Sequence, residues 1–153
     1  MKKLVSITLL AASLASAGNA LAGDTATLAI SATVTGSCKF TTGSFTMSFG
    51  ALDPAAAANQ NQSTDLTFKC TKNTAAASFT IDSQASPASV NIGNGTDTIP
   101  VALTWTVPAT EGTGFGAGSS AISMTVNGAI LGTNYANVSA GAYTNTVNVV
   151  IAP

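Results

Sequence analysis

The feature that most restricts this chain is an apolar alternation with a period of two residues, recurring along nearly its whole length after residue 22. Successive side chains of a strand point to opposite faces, so such alternation builds a sheet with one buried face, whereas a helix needs apolar residues every three or four positions. Ala26, Leu28, Ile30, Ala32 and Val34 form the first run, with Thr27, Ser31, Thr33 and Thr35 between and after them. Cys38 and Phe40, then Phe45, Met47 and Phe49, continue as one or two short strands around Gly43. Further runs are Leu66, Phe68 and Cys70; Phe79 and Ile81; Ile99, Val101, Leu103, Trp105 and Val107; Ile122, Met124, Val126, Gly128 and Ile130; and Tyr143, Asn145, Val147, Val149 and Ile151. Turn-forming clusters at residues 55–63, 83–89, 93–95, 112–118 and 132–141 separate them, and Pro87 blocks continuation of the strand that reaches Ile81. Pro54 and the alanines after it allow one helical turn and no more. Short alternating strands with this punctuation predict an all-β sandwich.

The first 22 residues stand outside that pattern. Met1, Lys2 and Lys3 form a positive start, residues 4–17 are uncharged and apolar, and Ala20-Leu21-Ala22 has the small-x-small form of a cleavage site. The segment is read as a signal peptide, residues 1–22, removed after Ala22, rather than a retained anchor, because it is short and lacks a charged stop-transfer flank. The chain that remains is the size of one domain. It carries Lys39, Lys69 and Lys72 against Asp24, Asp53, Asp65, Asp82, Asp97 and Glu111, a net charge of −3 with no arginine. So few cations cannot neutralise a run of phosphates, which argues against nucleic-acid binding and polybasic membrane docking.

Cys38 and Cys70 are the only cysteines, and in a chain expected to leave the cytoplasm an even count reads as one disulfide. Closing that loop should contribute about 3–4 kcal/mol on the chain-entropy account. A redox pair or a metal site is the competing reading, but the two are too far apart for C-x-x-C and no histidine completes a zinc set. The missing histidine also removes Ser-His-Asp and Cys-His nucleophile systems. The acids are scattered over different segments, so a carboxylate pair would need convergence in space. The glycines at 112, 114, 116 and 118 superficially suggest a dinucleotide loop, yet a strand pattern follows where a helix is required. No catalytic, metal or cofactor-binding residue is assigned, and the chain is read as non-enzymatic. The sequons at Asn61, Asn94 and Asn137 would mark glycosylation only in a host that modifies them.

Residues 23–37 remain to be explained. They alternate cleanly, yet they sit at the end of the mature chain and have no turn before Gly36-Ser37 that would fold them back. Such a segment suits a donor strand, inserted into the sheet edge of another molecule, with Ala26, Leu28, Ile30, Ala32 and Val34 in its pockets. The resulting organisation is a signal peptide (1–22), a donor-strand extension (23–37) and a sandwich domain (38–153). Several segments together carry a resemblance: the extension ending in Thr35-Gly36-Ser37-Cys38, then Phe49-Gly50-Ala51-Leu52-Asp53-Pro54, Leu66-Thr67-Phe68-Lys69-Cys70, Val126-Asn127-Gly128-Ala129-Ile130, and the stretch from Ala140 to Val149. On these the chain resembles the spore coat protein U family, which includes subunits of archaic chaperone-usher pili.

The resemblance implies an incomplete immunoglobulin-like β-sandwich, lacking its final strand and completed by donor-strand exchange. It further implies a periplasmic chaperone, an outer-membrane usher, a homopolymeric pilus at the cell surface that serves adhesion or biofilm formation, and minor pilins or a tip adhesin as further partners. The alternative function is a secreted β-sandwich that binds a carbohydrate or a surface through the 112–118 loop and Trp105. The phase of Trp105 with Leu103 and Val107 favours a core position instead.

Overall fold

The computed structural model describes residues 24–153, so the expected signal peptide lies outside the described residues. The chain falls into an N-terminal unit ending at Thr33 and a compact unit from Val34 to Pro153. The compact unit is an all-β sandwich. Its strands are β1 (Cys38–Phe40), β2 (Gln60–Cys70), β3 (Ser78–Ile81), β4 (Ala88–Gly93), β5 (Thr98–Trp105), β6 (Ile122–Ile130) and β7 (Val149–Ala152), with one turn of 3-10 helix at Gly132–Asn134.

Five strands form one antiparallel sheet in the order β1-β2-β6-β5-β4, and β3 pairs with β7 in a second, two-stranded layer. The inner face of the large sheet is the alternation read from the sequence: Leu66, Phe68 and Cys70 from β2, Ile99, Val101, Leu103 and Trp105 from β5, and Ile122, Met124, Val126 and Ile130 from β6 are all buried. Each large side chain placed there contributes about 1.5–3 kcal/mol. Aromatic rings join the layers edge to face: Phe79 of β3 meets Trp105 at 5.3 Å between centroids and Phe40 of β1 at 6.2 Å. Trp105, the last residue of β5, is therefore a core residue, and the 112–118 loop lies between β5 and β6.

Four local expectations change. β2 begins at Gln60, inside the stretch expected to be a turn, because Gln60, Asn61, Gln62 and Ser63 pair with Ile130, Ala129, Gly128 and Asn127 of β6. A partner strand overrides weak strand propensity. β4 was not expected: Ala88, Val90 and Ile92 do alternate, but the run is short and follows Pro87, and it is its pairing with β5 that holds it. β5 stops at Trp105 rather than Val107. The runs Phe45–Phe49 and Tyr143–Ile151 alternate as expected, yet only Val149–Ala152 is a paired strand.

Cys38 and Cys70 are directly opposite partners in the β1–β2 ladder and are disulfide-bonded. The bond pins the short β1, whose three residues otherwise hold the edge with few hydrogen bonds. Alkylation of the native protein without reduction should modify no thiol by mass spectrometry. The Cys38→Ser, Cys70→Ser double variant should lose about 3–4 kcal/mol in denaturant melts.

Candidate functional site

Over the inner face of the large sheet the second layer has only two paired strands. A groove of about 1160 Å³ opens there, floored by inner-face residues such as Leu66, Val101, Leu103 and Val126. Its walls are two extended segments, residues 42–52 and 138–149. In the first wall Phe45, Met47 and Phe49 are half-buried against the core while Ser44, Thr46 and Ser48 are exposed; in the second, Tyr143, Val147 and Val149 are half-buried and Thr144, Thr146 and Asn148 exposed. Both walls thus present one strand face to the core.

What the walls lack is a backbone partner along the groove. Among the described residues, 43–52 make no backbone–backbone hydrogen bond to another segment; the last before them is Thr41 N–H to Thr67 O at 2.9 Å. Only the Thr64 hydroxyl, donating to the Thr46 carbonyl at 2.6 Å, ties this wall to β2. The second wall is held at its outer side, where Thr144 and Gly93 exchange hydrogen bonds and Asp82 N–H donates to Asn148 O at 2.8 Å. Unpaired N–H and C=O rows on an apolar trough are a template for one more strand. The groove also exceeds the roughly 300–1,000 Å³ usual for small-molecule pockets, and its walls are continuous backbone rather than a few convergent polar groups.

Gly128 explains how the first wall lies so close to the sheet. It occupies an inward position of β6, and a side chain there would run into the Met47 sulfur and come within 2.9 Å of the Phe49 ring. The second wall depends on the turn between β4 and β5. Asn94 Oδ1 accepts from the Thr96 and Asp97 amides at 2.9 and 2.7 Å, which aims the Asp97 carboxylate at Ser139. Asp97 accepts from the Ser139 hydroxyl and from its N–H at 2.8 Å, and Asn94 Nδ2 donates to Ser139 Oγ at 3.0 Å. The Ser139 hydroxyl, then its amide, hold the Asp97 carboxyl below its ordinary range. Tyr135, just before the wall, is fully buried and donates its hydroxyl to the Ala58 carbonyl.

Of the residues singled out from sequence, Cys38 and Cys70 meet in the disulfide. Ala26, Leu28, Ile30, Ala32 and Val34 belong to a segment, residues 24–37, without regular structure. Leu28, Ile30 and Val34 are 83%, 85% and 82% exposed. Sequence reasoning identified both walls as strands but not as the sides of a groove, and it missed the Asn94–Asp97–Ser139 anchor. Asn94 followed by Gly95 marked the turn, but nothing local pointed to a serine 42 residues beyond Asp97.

The family model described as Fimbrial adhesin MrpH C-terminal domain matches residues 38–153, from the first disulfide cysteine to the end of the chain. The chain belongs to that fimbrial family. The match agrees with the fimbrial part of the spore coat protein U resemblance while carrying a different family label. The matched range coincides with the disulfide-pinned sandwich and contains the whole groove. No curated protein and no solved structure matches the chain.

Because its pKa is depressed in the fold, Asp97 contributes stability that is complete above the unfolded carboxylate value of about 4 and is lost as pH falls through the folded value. Hydrogen exchange at the Ser139 amide should therefore accelerate on acidification below about pH 4, relative to core amides. Asp97→Asn should abolish that acid dependence.

Proposed function

We propose that this chain is a structural subunit of a cell-surface fimbria, polymerising when residues 24–34 of one copy complete the groove of the next. The observation that carries the reading is the pairing of two complementary defects in one chain. The groove has an apolar floor and unpaired backbone along its walls, and the N-terminal segment has alternate apolar side chains that stand in water. Filling the groove would pair backbone along both walls, each net hydrogen bond contributing about 0.5–1.5 kcal/mol. Burial of Leu28, Ile30 and Val34 would add about 1.5–3 kcal/mol each. Membership in a fimbrial adhesin family supports a role in a surface appendage and in adhesion.

On this reading the chain is a non-enzymatic homopolymer subunit, exported by way of the periplasm after removal of residues 1–22. A periplasmic chaperone would occupy the groove in transit, and an outer-membrane usher would organise assembly. The alternative, a secreted sugar- or surface-binding module acting through Trp105, loses its principal residue because Trp105 is buried.

Two measurements test the proposal. A copy of residues 24–35 joined by a flexible linker after Pro153 should fill the groove, giving a monomer that melts well above the unextended mature chain. An unextended chain that is already monomeric, with the same melting temperature, contradicts the open-groove reading. Alternation places Ile30 inward and Ser31 outward, so Ile30→Asp would bury an unpaired carboxylate and abolish fibres, whereas Ser31→Asp should be tolerated. Both substitutions add the same charge and lower strand propensity. Equal loss of fibre yield from cells expressing each variant would refute the assigned facing.

A further inference from the structure

Donation of the extension also sets how closely two copies must lie, and any contact between their domains rests on that reading. Val34 is the last apolar position of the extension, while Ser37 is already bound to its own domain. The Ser37 N–H donates to Thr71 Oγ1 at 3.0 Å, and its carbonyl accepts from the Thr71 N–H at 2.9 Å. Only Thr35 and Gly36 lie between. With Val34 seated in a neighbour, the chain from Val34 to Ser37 spans at most about 10 Å, so the donating and accepting domains must touch.

The ends that can touch are unlike. Ser37 lies at the disulfide end of the sandwich, which also carries Pro153, within 3.9 Å of a side chain placed at Gly36. The 112–118 loop is fixed to the same end, since the Gly114 N–H donates to the Cys70 carbonyl at 3.1 Å. Within this loop Phe115 stands between two glycines and is 48% exposed. At the far end of β2 and β6, Gln60 pairs with Ile130, and Leu131 directly after it is 53% exposed. The same end carries Gly132 packed on the Ala57 carbonyl, and the groove lining includes Leu52, Pro54 and Val138 from the segments that adjoin it.

A strand entering the groove from the disulfide end would bring two like ends together, and reciprocal exchange would then close a two-fold dimer. A strand entering from the Leu131 end brings unlike ends together and leaves one groove and one extension free, which is an open chain. A fimbria is an open chain. We infer that in the fibre the Phe115 loop of each copy packs against the Leu131 end of the next, an end-to-end contact additional to the donated strand. The contact covers two large apolar side chains that the single chain leaves in water.

Cysteine cross-linking tests this directly. Fibres of the Phe115→Cys, Leu131→Cys double variant should, under mild oxidation, give a ladder of covalent multimers on boiled, non-reducing gels, and fibres of either single variant should not. A covalent dimer from Phe115→Cys alone would mean that like ends meet and would overturn the inference. In the Leu131→Cys variant, maleimide labelling should be about tenfold slower in fibres than in monomer completed by an appended donor strand, since the thiol reacts only when the contact opens. Equal labelling rates would also overturn it. Fibres that depend on Ile30 but give no ladder refute the end-to-end contact alone, whereas fibres indifferent to Ile30→Asp refute the donated strand on which it rests.

Discussion

A strand is held from two directions, by side chains that one face buries and by the backbone of its neighbours, and the two can be separated. Residues 43–52 and 143–149 have the first without the full complement of the second. Their apolar positions pack on the core formed by β2, β5 and β6, but the rows of N–H and C=O facing the groove meet no strand. A buried backbone group without a partner costs free energy comparable to a lost hydrogen bond, so such rows are tolerable only while they remain open to water. The architecture follows from that constraint. The five-stranded sheet pairs its own strands, the β3–β7 pair forms the second layer, and the groove lies between the two extended walls.

The anchors of the walls show how an unfinished layer keeps its shape. The first wall is positioned from below, by the missing side chain at Gly128 and the Thr64 hydroxyl. The second is positioned from the side, by the Asn94–Asp97 turn gripping Ser139 and by the bridge between Gly93 and Thr144. These contacts use few backbone atoms of the walls: the Thr46 carbonyl in the first, and the Ser139 amide with the Thr144 amide and carbonyl in the second.

The sequence made the strands legible wherever one face is buried, because alternation reports burial directly: the inward residues of β2, β5 and β6 are those that alternate in the sequence. It was less informative where pairing, not burial, decides. Gln60 to Ser63 look like a turn and form a strand because β6 continues alongside them. Phe45 to Phe49 look like a strand and find no ladder because the neighbouring position is empty. The groove itself left no signal in the alternation of its walls, and the surplus alternation of residues 26–34 is what prompts the donor-strand reading. The Asp97–Ser139 anchor joins two loops 42 residues apart and leaves no periodic trace.

Charge placement bears on what the open edges are for. Sheet edges in soluble proteins are commonly protected from pairing by lysine, proline or an inward charge. Residues 43–52 contain no charged residue and no proline, residues 140–149 contain none either, and residues 25–37 are uncharged throughout. Three uncharged, β-prone segments in one small domain would make a hazardous monomer, since any two could pair without a desolvation cost to deter them. The lysines and acids lie elsewhere, on outward positions such as Lys39, Lys69 and Asp65, so the omission at the edges is positional as well as compositional. A fimbrial domain whose groove was filled in an assembled state would gain from this arrangement, because a charge on an inward-facing edge position would there be buried and unpaired. Protection of the edges is then needed only between synthesis and assembly. That makes a second molecule occupying the groove in transit a physical requirement of the donor-strand reading.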